Sequence, residues 1–426
     1  MRTVTLLVFT LATISWSDAQ TQLTSTPVAS PSATVSQTIG LTKVTVIYNR
    51  PAVKDREIWG QLVPYGKIWR AGANENTIFE CSTDVTIEGK SLPAGKYGLH
   101  LLVNESDAEV IFSKNYTSWG SYSYDAAEDM LRVKITPVTS EHFYEWLTYS
   151  FDDLTHSATA CNLNWGDRQF SFEVGAEVHE IVIASLQNEL RDKAGWSWQG
   201  WNEAAGYCLQ NEVELQLGLN WAARSVFINP NPDNMLTKAR INAKVQGIGD
   251  PEAEKDAIIA SLQTDLDAGN VTWREYNGAA NYALGAGRRD QALAWANSAV
   301  AMADNMTSKI TKVKILKEKE MHQEAEKIKV EAIAQGSNAE LNQYGYSLLF
   351  SGEVEGAIEI FEANAEKHGH LDPNVWDSLG EGYVKAGMKD KAIKAFKKCL
   401  SMDPQPWLRS HSENFLKQLG VKIEEM

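Results

Sequence analysis

Hydrophobic and polar positions follow two different periods along this chain, one in each half. From about Thr34 to Val174 the apolar residues alternate with polar ones over short runs. Such alternation puts every second side chain on one face and predicts half-buried strands. Val35–Gln37 and Val44–Tyr48 flank a turn at Gly40. Thr77–Cys81 and Val85–Glu88 follow, then turns at Gly89-Lys90 and Pro93-Ala94-Gly95. Tyr97–Val103 and Glu109–Phe112 read as a hairpin, and Met130–Ile135, Trp146–Phe151, Ala158–Asn164 and Gln169–Val174 complete about ten short strands. Strands this short and this evenly punctuated predict an all-β sandwich, jelly-roll-like, over residues 34–175.

From about Glu177 onward the spacing becomes helical. Pro373 to Pro404 carries Trp376, Leu379, Gly380, Tyr383, Ala392, Phe396 and the closing proline at the positions of a ~34-residue helix-turn-helix repeat of tetratricopeptide type. Small residues at Gly380 and Ala392 let two antiparallel helices approach, and the aromatics fill the groove between them. Gly345, Gly352, Ala357 and Phe361 precede Gly380, Gly387, Ala392 and Phe396 by 35 residues in each case. Ala280, Gly287, Ala292 and Ala299 make a third copy, and Leu293-Ala294-Trp295-Ala296 echoes Leu219-Asn220-Trp221-Ala222. With weaker pairs at about Met235–Leu266 and Ile310–Ile333, residues 176–426 predict an all-α solenoid of five or six tetratricopeptide-like hairpins.

The N-terminus predicts export. Arg2 precedes an apolar run, Val4 to Ile14, and Ser17-Asp18-Ala19 offers a cleavage site before Gln20. Residues 1–19 are thus expected to be a signal peptide and 20–33, rich in Ser, Thr, Pro and Gln, a flexible leader. The expected location is periplasmic or secreted. No cysteine follows the apolar run, which argues against a lipid anchor, and no later stretch has the length of a membrane span. Cys81, Cys161, Cys208 and Cys399 are far apart in sequence and expected to be buried thiols, with a Cys81–Cys161 bridge as the alternative. The net charge of -15 argues against nucleic acid or an anionic membrane as a partner.

Several motifs in the β region carry a resemblance. They are Ser32-Ala33-Thr34-Val35-Ser36-Gln37, Tyr48-Asn49-Arg50-Pro51, Ile58-Trp59-Gly60, and the run Val63-Pro64-Tyr65-Gly66-Lys67-Ile68-Trp69-Arg70-Ala71-Gly72-Ala73-Asn74-Glu75. Leu92-Pro93-Ala94-Gly95-Lys96-Tyr97 and Trp119-Gly120-Ser121-Tyr122-Ser123-Tyr124-Asp125 continue them. Together they resemble the domain of unknown function 2911 family over about Pro31 to Val174. The resemblance implies an exported protein of Bacteroidota type with helical repeats behind the β domain, and no activity. His100 and Ala108 depart from it, standing where aromatics are usual.

The candidate binding residues are Trp69, Arg70, Asn74, Glu75, Trp119, Tyr122 and Tyr124. Gly72 suits a positive φ. Arg70 and Glu75 pair with each other, or flank a ligand, or join Asn74 in a network that pins the loop. If Trp119 to Tyr124 is a strand, Tyr122 and Tyr124 share one face, buried in the sandwich or exposed to stack on sugar rings. Trp196, Trp198 and Trp201 open the helical half and suit packing at the domain junction or a groove. His179-Glu180 lacks a second histidine at zinc-protease spacing, and neither a phosphate-cradling loop nor a nucleophile elbow is found. His368-Gly369-His370 is expected in a solvated linker, and the Lys/Glu-rich run Lys309–Lys329 as a solvated helical face.

These readings favour a non-enzymatic interaction protein without cofactor or metal. Its repeats would bind a protein or peptide, and the β domain would be a second binding module. The alternatives are a carbohydrate or cell-surface binder using the β-domain aromatics, and a hydrolase centred on Glu75 with Asp125 or His100 as the second group.

Overall fold

The computed structural model describes residues 27–422. The expected signal peptide, and the leader as far as residue 26, lie outside the described residues. The chain divides into two compact units, one reaching Gln187 and one starting at Asn188.

The first unit is two sheets face to face. Its strands are β1 (Ser32–Ile39), β2 (Thr42–Asn49), β3 (Ile68–Trp69), β4 (Thr77–Cys81), β5 (Val85–Ile87), β6 (Lys90–Leu92), β7 (Gly95–Val103), β8 (Ala108–Ser113), β9 (Asp129–Ile135), β10 (Val138–Asp152) and β11 (Ala158–Gly175). One sheet runs β1-β2-β4-β7-β8-β9 with β3 added against β7, and the other runs β10-β11-β5-β6. The pairings between these strands among the described residues are antiparallel. The expected alternation is visible in β4, where Thr77, Phe79 and Cys81 are buried and Ile78 and Glu80 less so. Phe79 and Phe112 of the first sheet meet Phe172 of the second, with ring centroids 6.3 and 5.8 Å away. Each such ring contributes roughly 1.5–3 kcal/mol by leaving water.

One correction concerns the second sheet. Ala158–Asn164 and Gln169–Val174, expected as separate strands, are one strand. The chain passes through Gly166 at φ 62° without a reversal. The register against β10 slips between Thr139 and Tyr144 and again between Tyr144 and Thr148, so bulges absorb the irregularity. All four cysteines are buried free thiols. Burial raises the Cys81 thiol to about 11.

Helix α1 (Val178–Glu189) follows β11 and starts on the β core, where Val178, Ile181 and Val182 pack. Gly40 makes this possible. It adopts φ 57°, and a Cβ there would stand 2.6 Å from Val178 Cγ1. The division between the units falls within this helix.

Among the described residues the second unit contains six helical hairpins. They are α2 (Trp198–Asn211) with α3 (Leu215–Ile228), α4 (Pro232–Val245) with α5 (Pro251–Asp267), α6 (Trp273–Gly285) with α7 (Arg289–Met302), α8 (Met306–Glu318) with α9 (His322–Gln335), α10 (Asn338–Ser351) with α11 (Val354–His368), and α12 (Asn374–Lys385) with α13 (Lys389–Leu400). Helix α14 (Pro406–Gln418) follows. Capping boxes Thr272/Glu275 and Ser337/Glu340 start α6 and α10 by satisfying backbone N–H groups that a first helical turn leaves open.

The 35-residue echo has one packing cause. A Cβ on Gly345 would lie 2.4 Å from the Phe361 ring, and one on Gly380 would lie 2.6 Å from the Phe396 ring. In both hairpins the aromatic ring of the second helix therefore rests directly on the backbone of the first. Gly287, Gly352 and Gly387 make the helix-to-helix turns at φ 78°, 88° and 73°. Cys208 packs its side chain on Gly218, as a small helix-packing residue should.

The lysine-rich run is not simply a solvated face. Lys309 and Lys329 are buried. The Lys309 ammonium lies 2.7 Å from Asp304 and 3.4 Å from Glu331, and Lys329 reaches Glu359 on α11 at 2.6 Å. Their stems pack while their charges find partners at the rim. His368 ends α11 rather than sitting in a linker, and its Nε2 lies 3.4 Å from the Gly336 carbonyl.

Gly380→Ala tests the packing cause. The gain in helix propensity, about 1 kcal/mol, competes with displacing an enclosed ring, about 1–3 kcal/mol. We expect net destabilisation by thermal or denaturant unfolding, and a neutral or stabilising effect of the same change in a Phe396→Leu background. Stabilisation by Gly380→Ala alone would remove the proposed cause.

Candidate functional site

The site begins where β3 ends. Trp69 pairs with Leu101 on β7, and its ring stacks on Trp165 of the other sheet at 5.8 Å. The indole N–H of Trp69 donates to the Gly72 carbonyl at 3.2 Å. The next residues form a loop tied from several sides. The buried Ala71 carbonyl accepts from the Thr77 hydroxyl at 3.1 Å and the Tyr149 hydroxyl at 3.0 Å. Asn74 donates to the Ser30 carbonyl, and Glu75 accepts from Asn49 Nδ2 at 3.1 Å.

This arrangement corrects two expectations. The left-handed residues are Ala71 (φ 52°) and Asn74 (φ 58°), not Gly72. Gly72 is required for space, since a Cβ there would stand 2.6 Å from Thr77 Oγ1. Arg70 and Glu75 form no ion pair among the described residues. Asn74 and Glu75 pin the loop, whereas Arg70 leaves that network. Its guanidinium lies 5.6 Å from the Trp119 ring centroid, and its Nε is buried with no hydrogen-bond partner among the described residues.

Trp119 to Tyr124 is a turn-rich loop, not a strand, so Tyr122 and Tyr124 do not share a strand face. The loop lies on the face of β7 and β8 opposite the core. Leu99, Leu101, Val110 and Phe112 belong to the core, while alternation turns Gly98, His100 and Ile111 the other way. Gly98 admits the loop closely, because a Cβ there would meet the Asn115 carbonyl at 2.3 Å. His100 Nδ1 and Ser121 Oγ are 2.9 Å apart, and the His100 ring meets Tyr124 edge-on at 5.4 Å. Tyr124 donates to Asp129 at 2.7 Å and accepts from Arg132. Tyr124 is therefore an anchor. Its phenol is pushed up to about 12, first by burial and then by the Asp129 carboxylate.

The anchored loop holds Trp119 and Tyr122 outward, 60% and 82% exposed, with their rings stacked 5.8 Å apart at 11°. Of the two placements open to Tyr122, buried or exposed, the structure shows the exposed one. Gly120 at φ 72° lets the loop cross Arg70, since its Cβ would stand 2.7 Å from Arg70 Nη1. A cavity of about 430 Å³ opens beside this cluster, lined by Trp69, Arg70, Tyr122 and Trp165 and by Lys54 and Arg56 from the preceding loop. Asn74 and Glu75 do not line it. The two groups considered as partners for a Glu75 acid are engaged elsewhere, His100 with Ser121 and Tyr124, and Asp125 with the Ala127 N–H.

Sequence reading missed Lys54, Arg56 and Trp165. All three come from segments distant in sequence, and nothing in their local spacing signals a shared cavity. It also missed Asp377, Glu381 and His411. Their potential ligand atoms lie within 4.8 Å of one another. Asp377 faces His411 Nδ1 at 2.8 Å and accepts from Ser412, while Glu381 accepts from Tyr346 at 2.8 Å. Burial raises Asp377, opposed by Ser412 and His411. Asp377, His411 and Ser412 form a hydrogen-bonded clasp between α12 and α14, with Glu381 4.0 Å from His411 Nε2. Trp196 is exposed, and Trp201 donates to the Gly195 carbonyl at 2.9 Å.

A second cavity, of about 270 Å³, lies in the helical unit. It is lined by Asn277 and Asn281 of α6, Thr307, Thr311 and Lys314 of α8, and Gln343, Tyr344 and Ser347 of α10. These are the first helices of three successive hairpins. Helix α2 packs on α4, α4 on α6, α6 on α8 and α10 on α12, and Met306 and Ile310 of α8 share an apolar core with Leu341 and Tyr344 of α10.

Burial lowers His100 to about 4, from an ordinary value of 6.5, with Asp129 opposing. A depressed histidine binds its proton more readily when unfolded. Its stabilising effect is complete above about pH 6.5 and falls as pH drops towards 4. Between pH 7 and pH 5, exchange protection of the β7–β8 amides, corrected for intrinsic rates, should fall by about 2 kcal/mol more in the wild type than in His100→Phe. Equal losses would show that His100 does not carry this dependence.

Residues 30–174 match the model of a family described as a protein of unknown function, DUF2911. No curated protein matches the chain. Among solved structures, YrrB, described as a TPR protein with an unusual peptide-binding site, matches at 12% identity over 54% of this chain and 97% of its own, with a TM-score of 0.21. A tetratricopeptide repeat protein from Parabacteroides merdae matches at 11% over 52% and 92%, with a TM-score of 0.26. The APC/C hetero-tetramer Cut9-Hcn1 matches at 14% over 54% of this chain, with a TM-score of 0.26, and this chain spans only 45% of that one. The chain thus joins an N-terminal DUF2911-like β domain to a C-terminal region of tetratricopeptide-like helical hairpins.

Proposed function

We propose that this chain is an exported, non-enzymatic binding protein with two modules. The repeat unit takes an extended peptide segment of a protein partner, and the β domain takes a second, smaller ligand. The observation that carries the first part is the cavity shared by α6, α8 and α10. Its amide and hydroxyl side chains, Asn277, Asn281, Thr311, Gln343 and Ser347, suit the alternating donors and acceptors of a peptide backbone. The buried Asn277 Oδ1 has no hydrogen-bond partner among the described residues and would accept a peptide N–H. Export is supported by Arg2, the apolar run Val4–Ile14 and the small residues before Gln20. No helix among the described residues is long and apolar enough to cross a membrane.

The β module is supported by the exposed, stacked Trp119 and Tyr122 beside Arg70 and by the cavity they adjoin. A carbohydrate is the second reading for the protein as a whole, and the same rings favour it, since stacked faces suit the apolar face of a sugar.

Peptides selected from a displayed random library against the full chain test the groove. An Asn281→Ala, Gln343→Ala double variant should weaken them about tenfold or more, as the loss of two hydrogen bonds implies. Arg70→Gln should leave them unchanged. Selected peptides that bind the double variant as tightly as the wild type would place their site elsewhere.

A further inference from the structure

The charge of the β-domain cavity goes beyond its role as a binding module and rests on that reading. The chain as a whole is acidic, with 55 Asp and Glu against 40 Lys and Arg. The residues lining this cavity reverse that balance. They include Lys54, Arg56 and Arg70 and no carboxylate. None of the three cations forms an ion pair among the described residues. The nearest acids are held by other groups. Glu145 accepts the Lys54 backbone N–H at 3.0 Å, and Glu75 accepts from Asn49. Arg56 is fixed by donating to the Val53 and Ala52 carbonyls.

Two residues that line this cavity carry donors without acceptors. Arg70 Nε–H and Trp165 Nε1–H are both buried without a hydrogen-bond partner among the described residues. A buried donor left unpaired costs about as much as a lost hydrogen bond, so a ligand bringing oxygen acceptors recovers that cost. The volume, about 430 Å³, lies within the range of small-molecule sites. Its walls add the rings of Trp69, Tyr122 and Trp165. The ligand that satisfies all three features has flat apolar faces, several oxygen acceptors and a negative charge.

We propose that this cavity binds an acidic saccharide, a sugar chain bearing carboxylates. The planar carboxylate suits the guanidinium fork of Arg70. The aromatic rings hold the sugar face, and the remaining cations draw the chain in. A phosphate ligand is disfavoured, because neither a glycine-rich loop nor a helix N-terminus lines the cavity.

The test uses the full chain and calorimetric titration with oligogalacturonide and alginate oligosaccharides. Each is paired with its carboxyl-reduced form, and a poly-glutamate peptide is added. Binding of an acidic oligosaccharide, weakened tenfold or more by reduction and by Arg70→Gln, supports the proposal. So does failure of Arg70→Lys to restore it. Lys54→Gln changes an exposed side chain, and should lower affinity and flatten its salt dependence without altering the melting temperature. Equal binding of acidic and reduced forms overturns the charge inference and leaves the binding module standing. Binding of poly-glutamate alone overturns the sugar class. If no probe binds, the reading of the β domain as a binding module falls with the proposal.

Discussion

The Ala71 carbonyl is the point on which the β-domain site turns. It is buried, and it accepts hydrogen bonds from Thr77 on one sheet and Tyr149 on the other. A buried carbonyl must find donors, and here the donors belong to opposite layers of the sandwich. This holds the chain in a left-handed conformation that alanine adopts only at a cost. The strain sits directly between Arg70 and the Asn74–Glu75 tether. One side of it is locked to the scaffold, and the other carries a guanidinium free of ion pairs among the described residues.

The loop across from Arg70 is held by a different logic. His100, Tyr124, Asp129 and Arg132 form a polar patch on the face of the first sheet that points away from the core. His100 also holds Ser121 of the loop and Arg132 also reaches Glu109, while the neighbouring Trp119 and Tyr122 remain outward. Anchors and presented rings alternate within one short segment. That is why a strand-like reading of the segment assigned Tyr124 to the wrong class. It has a ring like its neighbours, but its hydroxyl is consumed in holding the loop.

The helical unit joins its helices in two ways. Where a ring lies on a glycine, as at Gly345–Phe361 and Gly380–Phe396, the two helices of a hairpin are brought close. Between the hairpins carrying α8 and α10, Met306 and Ile310 share a buried apolar core with Leu341 and Tyr344, and polar contacts join it at the rim, Lys329 to Glu359 at 2.6 Å and Thr307 3.5 Å from Glu340. Long charged side chains pack their stems there and keep their charges paired outside. The cavity lies beside these contacts, lined by α6, α8 and α10.

The sequence alone determined the two periodicities, the two fold classes, the repeat register and the identity of the rings. These are local properties, carried by spacing and by residues such as Gly380 and Phe396 whose packing partners sit within one hairpin. It also marked Trp69, Arg70, Trp119 and Tyr122 as candidates, because they crowd unusual chemistry into short runs. Only the tertiary structure decided that Arg70 joins Lys54, Arg56 and Trp165, that Glu75 does not, and that Asp377 meets His411. Those groupings depend on which segments the sheets and hairpins bring side by side. No local spacing encodes a distance between residues joined only through the fold.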